Sequence, residues 1–291
     1  MQINTNTPLK LEDELPLTCT RIGTCCHGNQ VLLNPYELFR IAREKNVTAE
    51  FFRDNFCDLG GIRIAFNGKS DSRGKKACSQ YVEDFGCNVH LGRPLACRLF
   101  PIGRQVQNNK IEYVHEGETF PCLNGCSEVL NLPRLTVGDY LSGQLTSGYE
   151  IAQNQYLEVM QNLADLAFEL LLDSGLAESG DRKTLKMWRE MSVDQPENLV
   201  KRIGTEWYDS LTIPLMTESV DSSALFVQKH SELLQLKIQG SFSKLKSIND
   251  FHNASVLIMG MTIHLARSLG AKPEDLTIHW IDTAKKYGAK E

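Results

Sequence analysis

All nine cysteines of this 291-residue chain lie before residue 127, and none follows. They form three groups. Cys19 precedes the pair Cys25-Cys26. Cys78, Cys87 and Cys97 are spaced through ACSQYVEDFGCNVHLGRPLACRLFP, residues 77–101. Cys122 and Cys126 close the series, and Cys57 stands apart on an aromatic segment. A chain this long can bury a core of its own, so it has no need of disulfides to replace one. The opening residues, MQINTNTPLKLEDELPLTCT, carry neither a basic start nor an apolar run, which reads as cytoplasmic. In a reducing cytosol, clustered thiols are metal ligands, redox groups or nucleophiles rather than disulfides.

Soft, deprotonated sulfur donors gathered at one point suit zinc, iron and iron–sulfur centres. Gly- and Pro-rich loops can turn sharply enough to aim several thiolates inward. The candidate ligand set is Cys19, Cys25, Cys26, Cys78, Cys87, Cys97, Cys122 and Cys126. Adjacent Cys25 and Cys26 cannot comfortably serve one small ion, so each faces a different metal or one of them packs. Cys57 reads as a buried packer. Spacing favours an iron–sulfur cluster over a zinc or iron ion. The chain has no C-x2-C knuckle, and Cys78-x8-Cys87-x9-Cys97 is looser than a zinc finger. Arg93, Arg98 and Arg104 flank the thiols, where cations lower thiol pKa and offset cluster charge. Arg93 and Arg98 are the candidates for supporting the cofactor from behind its ligands. His27, His90 and His115 read as supporting or exposed side chains.

The expected fold class is α+β: a small, irregular, metal-binding cysteine-cluster domain with short strands and helices over residues 1–135, then an all-α helical region over 136–291. Asn34-Pro35 starts a helix ending near Asn46, and Thr48 caps a second with Phe51, Phe52 and Phe56 on its apolar face. VLLN (31–34) and IRIAF (62–66) read as strands. Residues 104–107 and 110–115 read as a hairpin about Asn108-Asn109. Thr136 opens the helical pattern. A long amphipathic helix covers 149–175, and further helices cover 181–192, 196–211, 221–238, 249–269 and 273–287. Met259 and Met261 read as core, and His252, His264 and His279 as structural or exposed. The apolar stretch 254–266 is too short to span a bilayer, and no membrane partner is expected. A net charge of −5 argues against a general nucleic-acid partner. Gly68-Lys69-Ser70 ends like a phosphate loop, but Arg63 occupies the place of its first glycine.

Cys25-Cys26, then Cys78, GCNVH (86–90) and RPLACRLFP (93–101) together resemble the YkgJ-type cysteine-cluster proteins. Their shared CxxCxxCC region is taken to chelate zinc or iron. The resemblance covers roughly residues 19–126 and departs from the family pattern twice. Ile22 stands where the second cysteine of CxxCxxCC would be, so either the ligand count falls by one or a downstream cysteine such as Cys122 or Cys126 fills in. His90 stands where the family often has an aromatic residue.

By relationship, the resemblance also implies an alternative. Flagellin lysine N-methylases contain a similar region, which makes S-adenosylmethionine-dependent protein-lysine methyl transfer the second function class. Its cofactor would be S-adenosylmethionine and its partner a protein substrate, whereas an electron-transfer role would call for a redox partner. A cysteine nucleophile beside an imidazole, as in Cys26-His27, is a third class. Whether the chain is an enzyme is left open by the sequence.

Overall fold

The computed structural model describes residues 7–15, 23–107, 110–115, 134–215 and 222–291. It is α+β, with short strands in small sheets and many helices. The chain divides into two compact units. The first comprises residues 1–31, 40–56 and 64–150, and the second residues 32–39, 57–63 and 151–291.

The first unit is built from short elements. Strands β1 (Thr7–Leu9), β7 (Ile102–Gln107) and β8 (Lys110–His115) form an antiparallel sheet in the order β1-β8-β7. The expected hairpin is present and begins two residues early, at Ile102, with Gln107 opposite Lys110. Its cross-strand partners Arg104 and Tyr113 both reach Glu150, Tyr113 by a 2.7 Å hydrogen bond from its hydroxyl and Arg104 at 3.9 Å. Arg104 thus engages a carboxylate. β2 (Glu14–Leu15) pairs with β9 (Leu135–Thr136). In the second unit, β3 (Cys57–Asp58) and Arg63, the first residue of β4 (Arg63–Ile64), make a tight turn closed by the Asp58–Arg63 ion pair at 2.7 Å. IRIAF therefore supplies only two strand residues. β5 (Tyr81–Val82) and β6 (Gly86–Cys87) form a second small hairpin.

Helix α1 (Pro35–Lys45) begins where the sequence places it. The Asn34 side chain accepts from the Glu37 amide, and the Glu37 carboxylate accepts from the Asn34 amide, both at 3.0 Å. The two bonds satisfy donors that a helix start leaves open. Thr48 caps α2 (Ala49–Phe56) through the Phe51 amide. On α2 only Phe52 is fully buried, while Phe51 is 50% exposed, so the aromatic face is narrower than its spacing suggests. α3 (Leu95–Leu99) is a single helical turn, and α4 (Val137–Gly143) starts at Thr136, whose hydroxyl accepts from the Asp139 amide.

The second unit is helical. It takes most of α5 (Ser147–Leu172), then α6 (Lys183–Val193), α7 (Pro196–Ile203), α8 (Thr205–Thr212), α9 (Ser223–Phe242), α10 (Ile248–Ser268) and α11 (Pro273–Lys286). The single helix expected over 196–211 is two, because Gly204 breaks it at φ 82°. α10 is the spine. A reciprocal Ser247–Asp250 cap starts it, and from Ile258 to Ala266 every residue is buried. A helix that is apolar all round has to be enclosed by protein or lipid. Here α6, α7, α8 and α11 pack against it, so the 254–266 stretch is core. Among the described residues no helix is long and apolar enough to cross a membrane.

Met259 and Met261 are fully buried, as their spacing predicts. His252 accepts from or donates to the Thr184 hydroxyl at 2.7 Å, buried His264 meets Tyr208 edge-to-face, and His279 is exposed.

One polar chain is sealed within the second unit. The Tyr156 hydroxyl donates to His230 Nδ1 at 2.8 Å, and His230 Nε2 donates to the Ser210 carbonyl at 2.9 Å. A carbonyl can only accept, so the imidazole proton sits on Nε2. Burial holds the His230 pKa down at about 4, against the opposing hydrogen bond to Ser210. The unfolded chain protonates this group near pH 6.5 and the folded chain only near 4. Between those values the unfolded state binds more protons, so the contribution of His230 is complete above about pH 6.5 and falls as pH drops towards 4. The loss should be on the order of 2–3 kcal/mol. Urea midpoints measured from pH 7 to 4 should decline more steeply in the native chain than in His230→Gln. Parallel slopes would show that the imidazole is not the titrating group.

Candidate metal centre

The six described cysteines are thiols rather than disulfides, and all are half-buried. Five of them belong to the first unit, and four local devices position them. Cys25 and Cys26 lie on a 3-10 turn, Thr24–Cys26. Successive residues on such a turn point about 120° apart, so neighbouring thiols diverge. Cys78 follows directly on a backbone pairing of the front loop with the central stretch: its amide donates to the Cys26 carbonyl at 2.7 Å, and His27 bridges Ala77. Cys87 sits in β6 opposite Tyr81. Cys97 occupies the middle of α3.

Two glycines permit these approaches. Gly23 has φ 84°, and a Cβ there would lie 2.2 Å from the Tyr81 ring, so only glycine lets the front loop close on the β5–β6 hairpin. A Cβ on Gly92 would stand 2.5 Å from the Glu44 side chain and 2.8 Å from the Arg40 carbonyl. That glycine lets the loop between Cys87 and Cys97 lie against α1.

Electrostatics identify which thiols sense one another. Burial pushes the Cys97 thiol well above its ordinary pKa, and Cys78, Cys25 and Cys87 push it further, while Arg93 pulls it down. Burial raises Cys78 to about 11, with Cys87 adding to the rise and the Gln80 amide, 3.5 Å from its sulfur, opposing it. Cys25, Cys78 and Cys87 therefore lie near enough to Cys97 to act on its ionisation. Among the described residues no three His, Cys, Asp or Glu side chains form a closed ligating group. The donor chemistry nonetheless fits a soft cation. Dry thiols that disfavour one another's ionisation are the ones a metal charge relieves, because it offsets both the desolvation and the mutual repulsion.

The other sequence candidates divide. Cys26 contributes its carbonyl to the Cys78 pairing. Cys57 is half-buried in β3 rather than packed away, and it falls in the second unit. Cys19, Cys122, Cys126 and Ile22 lie outside the described residues. His27 donates from Nδ1 to the Gly23 carbonyl at 2.9 Å and packs edge-to-face on Tyr81. His90 offers its carbonyl to Arg93, and His115 is buried in β8.

The two arginines have different tasks. Arg93 acts electrostatically on Cys97 while it donates to the His90 carbonyl at 2.7 Å and to the Gln144 side chain. Arg98 is buried and braces backbone. It donates to the carbonyls of Arg93 (2.9 Å), Gln144 (2.7 Å) and Leu91, and to the Tyr149 hydroxyl (3.1 Å), and its guanidinium lies 4.2 Å from the Tyr149 ring centre. Gln144, Tyr149 and Gln80 were not legible as site residues. The first two join the arginines across 46 to 51 positions of chain, and Gln80 acts through its backbone amide.

These features define a class: a loop-built domain whose thiols are delivered by short strands, a 3-10 turn and one turn of helix. Residues 18–116 match the model of the CxxCxxCC family, described as "Putative zinc- or iron-chelating domain". The match covers about a third of the chain. Cys19 lies inside the matched stretch, and Cys122 and Cys126 lie beyond it. No curated protein and no solved structure matches the chain.

Replacing Arg98 by Ala removes the donors of three backbone carbonyls in a buried setting. It should cost about 3 kcal/mol or more of stability. Arg98→Lys should recover less than half, since one ammonium cannot span that fork of acceptors. Urea denaturation checks this, and wild-type stability in the Lys variant would show the guanidinium geometry to be dispensable.

Proposed function

We propose that the cysteine domain holds a sulfur-ligated metal centre whose inner donors are Cys25, Cys78, Cys87 and Cys97. Cys19, Cys26, Cys122 and Cys126 are the further candidates to complete it or to serve a second position. What supports this reading is the backbone pairing that brings the Cys25-Cys26 loop onto Cys78, together with the opposition of Cys78, Cys25 and Cys87 to ionisation of Cys97, which Arg93 offsets. The zinc- or iron-chelating description of residues 18–116 supports the same class.

An iron–sulfur cluster is the preferred occupant, ahead of a zinc or iron ion. The ligand spacings are irregular, as cluster ligands tolerate, and Arg93 offsets negative charge at Cys97. When bound, such a centre supplies one-electron chemistry, and a zinc ion in its place supplies a structural cross-link. The chain's own residues do the rest. The 3-10 turn separates Cys25 from Cys26, Arg93 lowers the cost of thiolate formation at Cys97, and Arg98 holds the carbonyls around it.

Protein purified without air should contain iron with sulfide, or zinc, in fixed proportion. Cys97→Ser should lose most of that metal and loosen the cysteine unit, because binding energy there is also folding energy. Cys57→Ser should retain it. Visible absorption with elemental analysis is the measurement. Equal metal in wild type and Cys97→Ser, or loss in Cys57→Ser, would show the ligand assignment to be wrong.

A further inference from the structure

The front loop and the central stretch meet as a short antiparallel ribbon. Gly28 donates to the Lys76 carbonyl, His27 bridges Ala77, and Cys78 donates to the Cys26 carbonyl. One end of this ribbon carries thiols, Cys25 and Cys78. The other end runs straight into a basic hairpin, Lys69 to Lys76.

That hairpin is braced. Ser70 bridges Lys76, the Asp71 amide donates to the Lys75 carbonyl, and the Asp71 side chain accepts from the amides of Arg73 and Lys75 at 2.9 Å. Four cations therefore stand on a fixed frame on a chain whose net charge is −5. Arg73 is paired with Asp71, and Lys69 with Glu83. Lys75 and Lys76 are exposed, and among the described residues neither has a carboxylate within ion-pair distance.

The Lys69–Glu83 pair joins this hairpin to the β5–β6 turn, where Val82 and Phe85 are 44% and 57% exposed. Cations and an uncovered apolar pair thus share one surface beside the thiols. Binding faces of proteins combine an apolar, aromatic centre with a charged rim. A continuous polyanion fits this surface poorly, because Asp71, Glu83 and Asp84 stand among the cations.

We infer that the Lys69–Lys76 hairpin and the Val82–Phe85 turn form a docking surface for a partner protein with an acidic rim and an apolar centre, placed to bring that partner to the cysteine centre. The surface takes its purpose from the proposed metal site, but its existence is tested separately. Unpaired Lys75 and Lys76 supply attraction and orientation, and Phe85 supplies the apolar contact.

The probe is a labelled peptide carrying a Phe-Leu pair between two runs of glutamate, titrated with the full chain by fluorescence anisotropy. Metal content is measured on every sample. Binding should weaken as salt rises, as an interaction between exposed charges must. The double variant Lys75→Glu, Lys76→Glu should weaken it about tenfold or more. Phe85→Ser should weaken it independently of salt, Lys244→Glu should leave it unchanged, and all variants should keep the metal content of the native chain.

No binding by the native chain, or equal binding after charge reversal, would overturn the inference. So would tighter binding of a single-stranded oligonucleotide of the same length, or loss of metal in the Lys75–Lys76 variant, which would make the hairpin part of the centre. If the variant pattern holds in protein that never carries metal, the surface stands and the metal reading falls.

Discussion

The cysteine unit depends on how the Arg98 guanidinium is used. α3 spans only Leu95–Leu99, and so short a helix has almost no stability of its own. It nevertheless carries Cys97, the thiol that three others sense. What fixes it is the residue next in sequence. Arg98 reaches back to the carbonyls of Leu91 and Arg93 and forward to Gln144 and Tyr149. One side chain therefore ties the loop after Cys87, the turn bearing Cys97 and the start of α5 into one frame. A lysine, a point charge on a flexible stem, could not do this.

The thiol group shows the opposite balance. Arg98 lowers the free energy of the fold, whereas burial and neighbouring thiols raise the cost of ionising Cys97 and Cys78. The backbone contacts that gather them, such as Cys78 to Cys26 and Gly23 against Tyr81, must therefore be sustained by packing and hydrogen bonding elsewhere in the unit. The labour is divided: glycines set the approach, arginines set the frame, and the thiols follow.

The second unit needs no such device. α10 buries every residue from Ile258 to Ala266, and Ser255 donates to the Ala167 carbonyl of α5 at 2.9 Å. A polar chain, Tyr156–His230–Ser210, is sealed within it. Stability there comes from area removed from water, which is non-directional. In the cysteine unit it comes from directed bonds between short elements, each too small to stand alone.

That difference also decides what the sequence could reveal. Helical spacing and caps are local, so α1, α2, α5, α6, α9, α10 and α11 were legible from Asn34-Pro35, Thr48 and the apolar period. The break at Gly204 was missed because a lone glycine inside a helical pattern usually does no more than weaken it. The cysteines announced a chelating domain, and spacing alone made eight of them equal. Their inequality arises from contacts between residues far apart in sequence. Cys78 is set beside the front loop because that loop pairs with residues 76–78, and Arg98 differs from Arg93 in reaching Tyr149, 51 positions away. Residue type gives the chemistry a segment can do, while non-local hydrogen bonds decide which copy of that residue does it. In a region made of two-residue strands and single turns, nearly all the deciding information is of the second kind.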